Sequence, residues 1–301
     1  MVVKALFVAG SLSFILGSGS TAQPGPNSPQ CRPAGAVVRV TDLTEGSGVA
    51  ASRKIPGRFW AHNDSGQPVL LALDDKGTVT GRLTLSGATV EDWEAIAVGA
   101  CPAGSCIYIG DIGDNDAQRR QITIYRIPEP AEANGTAKVS DVFHATYPDG
   151  AHDAEALLVT PDGRLHIVTK GETGATGVYQ FPTKLDAGAT TKLERVGQTR
   201  PVGTAGRNDR ITDGSVSPDG EWVALRTLRA VMLYRSTDLL SGNWREVSRI
   251  AVDPLGEPQG EGVTFGDGNS LYLVGEGGGK KQPGTFARLT CTHTSPSAAR
   301  D

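Results

Sequence analysis

The chain has 301 residues, with 29 basic against 33 acidic side chains, a formal charge of −4, 39 glycines, four cysteines and five histidines. A net acidic chain lacks the charge that recruits nucleic acid or an anionic membrane surface, and neither is expected as a partner. The histidines are scattered and the cysteine spacing is not that of a zinc site.

In chain order, residues 1–22 carry Lys4, an apolar run over 5–17 and the small residues Ser20-Thr-Ala22, which is the layout of an export signal. The run is too short for a spanning helix. Removal of this segment takes away Lys4 and leaves a net charge of about −5. Residues 23–35 are rich in Pro, Gly and Ser and read as a tether. From 36 to 292 the chain is a succession of short β-branched and aromatic runs broken by Gly, Pro and Asp, without a long stretch of helical periodicity. Residues 293–301 read as a C-terminal tail. The expected product is a secreted, periplasmic or extracellular monomer with no membrane span.

One unit recurs five times: an apolar run, a short turn and a second apolar run. Ser47-Gly-Val-Ala50 leads through Ile55-Pro-Gly57 to Phe59–Asp64. Glu94–Val98 leads through Cys101–Cys106 to Ile107–Gly110. Glu155–Val159 leads through Pro161-Asp-Gly163 to Leu165–Lys170, Asp213–Ser217 through Pro218-Asp-Gly220 to Trp222–Arg226, and Glu261–Phe265 through Gly266-Asp-Gly268 to Leu271–Glu276. A repeat of this length indicates a propeller or solenoid. Two further runs follow each of the first four inner pairs, the second set being split by the polar insertion 128–140. The fifth pair is followed only by Thr285–Cys291, and its missing outer strand is available at 36–42. The expected fold is therefore an all-β, five-bladed β-propeller of four-stranded antiparallel blades, closed by the N-terminal strand so that no long edge is left open.

Four cysteines in an exported chain form disulfides by default, and three pairings are possible. Cys101 with Cys106 would staple a hairpin, and Cys31 with Cys291 would rivet the ring where its ends meet.

The first position of each inner strand carries Ser47, Glu94, Glu155, Ser215 (or Asp213) and Glu261, one per blade and directed at the central channel. Three glutamates about 6 Å apart repel by about 3 kcal/mol per pair at an effective dielectric of 20. A hard divalent cation relieves that repulsion, and a set of carboxylates and hydroxyls suits calcium better than zinc. The alternative is that these side chains cap blade-to-blade contacts through backbone amides. A second ring, at the ends of the second strands, contains His62, Asn63, Asp64, Asp111, Asp114, Asn115, Lys170, Glu172, Arg226 and Glu276. Of these, Asp64, Asp111, Lys170 and Arg226 are the candidate catalytic residues. Carboxylates beside a metal, faced by Lys and Arg, are the equipment for a phosphate ester or anhydride: the metal would neutralise charge and orient water, while an Asp takes its proton. The same Asn-Asp-Ser-Gly and Asp-Ile-Gly-Asp-Asn stretches are also good turn formers.

The order Ser, Glu, Glu, Ser, Glu, together with His62-Asn-Asp-Ser-Gly66, Tyr108-Ile-Gly-Asp-Ile-Gly113, Val223-Ala-Leu-Arg-Thr227 and Gly260-Glu-Gly-Val-Thr-Phe265, resembles the calcium-activated apyrases. That resemblance, running over 44–289, implies a five-bladed ring with a central calcium. The chain also resembles a group of secreted bacterial proteins carrying HNDSG, DWEAIA and GDIGDN. The expected function is a metal-dependent hydrolase of phosphorylated small molecules. The alternatives are a non-catalytic propeller that binds a ligand or protein on its metal-bearing face and, third, a glycan-acting hydrolase. A serine hydrolase is not expected, because no Gly-x-Ser-x-Gly stands between a strand and a helix.

Overall fold

A computed structural model describes residues 28–172, 174–199, 206–279 and 281–292. The expected export signal 1–22, residues 23–27 of the expected tether, and the expected tail 293–301 lie outside the described residues.

The five repeats form five antiparallel sheets arranged around one axis. The first blade consists of Gly46–Ala51, Phe59–Asn63, Val69–Leu73 and Val79–Ser86. The second consists of Trp93–Cys101, Gly104–Asp111, Ile122–Pro128 and Asp141–Thr146, and the third of Ala154–Val159, Leu165–Thr169, Gly177–Gln180 and Glu194–Gln198. Ile211–Val216, Trp222–Thr227, Ala230–Arg235 and Glu246–Ala251 make the fourth, and Gln259–Phe265, Ser270–Glu276 and Gly284–Thr292 the first three strands of the fifth. This is the five-bladed β-propeller the repeat predicts. The one α-helix described is a single turn, Ser236–Leu239, and no described helix is long and apolar enough to cross a membrane.

Sequence pattern follows position in the blade. The inner strand Ala154–Val159 and the second strand Trp222–Thr227 are buried along their whole length, because neighbouring blades cover both faces, and they read as near-continuous apolar runs. Outer strands are covered on one face only, so Val79–Ser86 alternates buried and exposed residues in the two-residue period of a pleated strand. Gly163 and Gly220 end the two Pro-Asp-Gly turns with φ of 80° and 76°, a left-handed conformation open to glycine without steric cost. Among the described residues the apolar core forms five separate clusters, each between two adjacent blades. Trp60 meets Trp93 and Ile96 between the first and second blades, and Val49 and Phe59 meet Tyr272 and Phe286 between the fifth and first. Each blade is thus stabilised by its neighbours, and the ring must close for every cluster to be complete.

Closure differs in detail from the expected strand at 36–42. Two short strands share the edge of Gly284–Thr292: Val38–Val40 pairs with residues 284–286, and Gln30–Pro33, within the expected tether, pairs with residues 289–292. The second pairing places Cys31 directly opposite Cys291, and the two are disulfide-bonded across 260 residues of chain. Cys101 and Cys106 form the second disulfide, at the tip of the second-blade hairpin. The polar insertion also acquires structure. Gly135–Lys138 lies parallel to Leu83–Ser86, and Thr190–Lys192 lies parallel to His144–Thr146, so blades one and two each gain a fifth strand. Both additions cover exposed sheet edges.

Candidate functional site

The site follows from one irregularity repeated in all five inner strands. Pairing with the second strand skips a residue at Ser47, Glu94, Glu155 and Thr212, and skips Glu261 and Gly262 together. A β-bulge turns the extra side chain out of the regular alternation. Here it delivers Ser, Glu, Glu, Thr and Glu to one mouth of the axial channel, one from each blade. At the ends of the second strands, Asp64, Lys170 and Leu228 follow the last paired residue and Glu276 is itself the last, paired with Gln259. With Glu94, Glu155, Thr212 and Glu261, these residues line a cleft of about 280 Å³ that Asn115, Arg207 and Arg210 complete, while Ser47 lies beneath it. At the corresponding place in the second blade stands Ile112, which is buried in the core.

The three glutamates are 9%, 3% and 8% exposed at positions 94, 155 and 261. The Ser47 hydroxyl donates to Glu94 Oε2 at 2.7 Å and lies 3.1 Å from its carbonyl, joining the first blade to the second. Thr212 Oγ1 donates to the Glu261 carbonyl at 2.9 Å, joining the fourth blade to the fifth. Lys170 Nζ stands 2.5 Å from Glu155 Oε1 and 3.0 Å from Asp153 Oδ2. Burial opposes the ammonium, but Glu155 and Asp153 outweigh it and raise its pKa. Glu94 and Glu261 have no ion-pair partner among the described residues. Burial lifts Glu261 to about 8 and carries Glu94 well above the usual carboxylate range, with the negative charge of Glu155 adding to the Glu94 shift. At the rim, burial and Glu45 push Asp64 to about 6, while burial and Asp64 push Glu276 to about 7.

The expected site residues divide into those the cleft gathers and those placed elsewhere. Ser47 is buried beneath the mouth on Glu94, and Glu94, Glu155, Glu261, Asp64 and Lys170 line the cleft. Ser215 lines the opposite end of the channel, further along its strand than Thr212. Asp213, the other fourth-blade candidate, is fully buried, and its carboxylate accepts from the amides of Gly214 at 2.7 Å and Val263 at 2.8 Å. Asp111 accepts from the amides of Glu91 and Asp92 and from Arg119, which fixes the loop leading into the second blade. Arg226 is fully buried; it donates to the carbonyls of Gly262 and Val274 at 2.7 Å and pairs with Glu257. Asp111 and Arg226 thus hold the scaffold outside the cleft. On these second strands, Asp111 and Arg226 stand one and two residues before the place that Ile112 and Leu228 hold at the mouth, and point between blades rather than over the axis. His62 is enclosed likewise, and burial pushes its pKa down to about 4.

Thr212, Asp153 and Arg207 were not visible as site residues in the sequence. Thr212 carries a positional signal all the same. It precedes Pro218 by the same interval that separates Glu155 from Pro161, so counting back from the Pro-Asp-Gly turn finds the bulge.

In donor type, three carboxylates and two hydroxyls fit a hard cation, and two of the carboxylates lack a counter-charge. The resting side chains are not pre-set around one point: among the described residues no three His, Cys, Asp or Glu side chains stand at metal-ligand spacing.

Fold and site together define a five-bladed β-propeller with an acidic cleft at one mouth of its axis. No family model matches the chain, and no curated protein does. Among solved structures it is similar to the PQQ-bound form of an aldose sugar dehydrogenase from Streptomyces coelicolor, at 10% identity and a TM-score of 0.53, over 90% of this chain and 100% of that one. It also aligns, with a TM-score of 0.42 and 10% identity over 78% of its length and 73% of the other chain, with a Bacteroides caccae protein of unknown function. At this identity the first likeness is one of fold alone.

Proposed function

We propose that this chain is a secreted propeller that binds calcium at the acidic mouth and uses it to hydrolyse phosphate esters or anhydrides. The observation that supports this reading is that Glu94 and Glu261, buried on equivalent bulges beside Lys170-bound Glu155, have no cationic partner in a cleft open to solvent. Buried carboxylates without a counter-charge are costly. Glu94, Glu155, Glu261 and the hydroxyls of Ser47 and Thr212 are the residues that would hold the ion. When bound, calcium would supply charge neutralisation for a phosphoryl oxygen.

The remaining roles fall to the chain's own side chains. Asp64, at about 6, is ionised at neutral pH and can accept a proton from an attacking water, with Glu276 beside it at about 7. Among the described residues Arg207 hydrogen-bonds to Gln259 alone, at 3.5 Å, which leaves its charge available to an anionic substrate in the place first expected of Arg226. Lys170 stays committed to Asp153 and Glu155 and sets the charge balance of the floor. Two disulfides suit an oxidising compartment. The calcium-activated apyrase resemblance points the same way but rests on sequence motifs alone.

A second reading is favoured by the Lys170 network, which balances two of the acids without a metal: a face that binds cation and ligand but turns nothing over. Calorimetric titration with calcium, alongside phosphate release from nucleotides and sugar phosphates, separates the two. Calcium-stimulated release that Glu261→Gln lowers at least tenfold is expected. Calcium binding with no release across the panel selects the second reading, and neither binding nor release overturns both.

A further inference from the structure

At the other end of the channel the inner strands enclose a second cavity, of about 300 Å³. Its walls are Ala50, Ile96, Ala97, Val98, Leu157 and Val159, with Gly214, Ser215 and Thr264 from the fourth and fifth blades. The space is built by small residues. Inner strands favour Val, Ile and Leu, which fill a pleated surface, yet Ala50, Ala97, Gly214 and Ser215 stand where the channel widens. The Ser215 hydroxyl has no hydrogen-bond partner among the described residues.

The rim is polar and carries a cation in an unusual situation. Arg53 lines the mouth and is exposed, with no carboxylate within ion-pair distance among the described residues. The acid that acts on it from a distance, Glu129, is already bound by the hydroxyls of Ser52 and Ser105, the latter at 2.6 Å. Asp267 lies across the rim and is exposed to solvent.

We propose that this cavity is a binding site for a small amphipathic carboxylate, whose apolar body fills the channel and whose charge meets Arg53. Apolar walls with a few convergent polar groups are what small-molecule sites present, and a guanidinium matches a carboxylate in two parallel hydrogen bonds. The half-buried Ser215 hydroxyl, which lines the cavity, offers one polar contact within. The site is independent of the acidic mouth, whose charge repels such a ligand.

The test uses 2-naphthoate as probe, with 2-naphthylmethylammonium as its cationic counterpart, titrated into the whole protein in chelator and followed by calorimetry. Naphthoate is expected to bind saturably and at least tenfold more tightly than the amine. Arg53→Gln should remove that preference, and Ala97→Leu or Ser215→Leu, which fill the cavity, should weaken naphthoate at least tenfold. Glu261→Gln, at the other mouth, should leave binding unchanged. If the filled variants fail to fold, Arg53→Gln, on the exposed rim, still decides. Absence of saturable binding, equal affinity for acid and amine, or binding indifferent to Arg53→Gln overturns the proposal.

Discussion

At the residue scale the cleft is a problem of charge without partners. Glu261, with its carboxyl raised from 4.5 to about 8, and Glu276, raised to about 7, bind their protons more tightly folded than unfolded. Their stabilisation is therefore full below about pH 4.5 and is lost as pH rises through about 8. His62 and His166, lowered from 6.5 to about 4 by burial, act in the opposite sense, but only below about 6.5. Between pH 6.5 and 8 the carboxyls act alone. In chelator the melting temperature is expected to fall across that window; calcium, which favours the ionised carboxylates, should flatten the fall. The same slope with and without calcium would show that the ion does not engage these acids.

At the element scale the bulge needs room. The residue after the bulged position is small in four of the five blades, Gly48, Ala95, Ala156 and Gly262, and in the fourth it is Asp213, whose carboxylate accepts two backbone amides. At Gly262 an added Cβ would lie 2.6 Å from Val274 Cγ2 and 3.0 Å from the Val49 amide, wedged between two blades. Gly262→Ala should therefore destabilise the fold by about 1–3 kcal/mol, the usual cost of overpacking, and should weaken any cation binding that depends on Glu261. Gly174→Ala, where a Cβ meets nothing within 4 Å, is the control. Equal melting temperatures for the two variants in denaturation scans would remove the packing argument.

For the whole molecule, stability depends on joining the ends of the ring. The core is divided among blade interfaces, so opening the fifth blade exposes two clusters rather than one strand. Cys31–Cys291 closes a loop of 260 residues and Cys101–Cys106 one of 5. In the chain-entropy model these are worth up to about 5 and about 2 kcal/mol. Replacing both Cys31 and Cys291 by serine should lower the denaturation midpoint more than the same change at Cys101 and Cys106. The reverse order would show that the paired strands at residues 30–33 hold the ring shut without help.

The five-bladed ring, its closure through the N-terminus and the Glu94, Glu155 and Glu261 positions were legible from the sequence, because strand alternation, turn residues and a fifty-to-sixty-residue repeat are local properties that each blade displays separately. Cys31 and Cys291 could be paired in advance for a similar reason: in a ring, the unmatched strands at the two ends have only each other. Which polar residue reaches the axis was decided by tertiary structure. A bulge shifts pairing by one residue without changing hydrophobic pattern, which is enough to turn Asp213 into the scaffold and give Thr212 the axial place, while Ser215 lies three residues further along the strand at the other end of the channel. Likewise Asp111 and Arg226 carry the right chemistry a residue or two from the mouth, but strand pleat turns them into the scaffold. Burial, and with it the displaced titration of Asp64, Glu261 and Glu276, arises only when five blades from distant parts of the chain exclude water from one another.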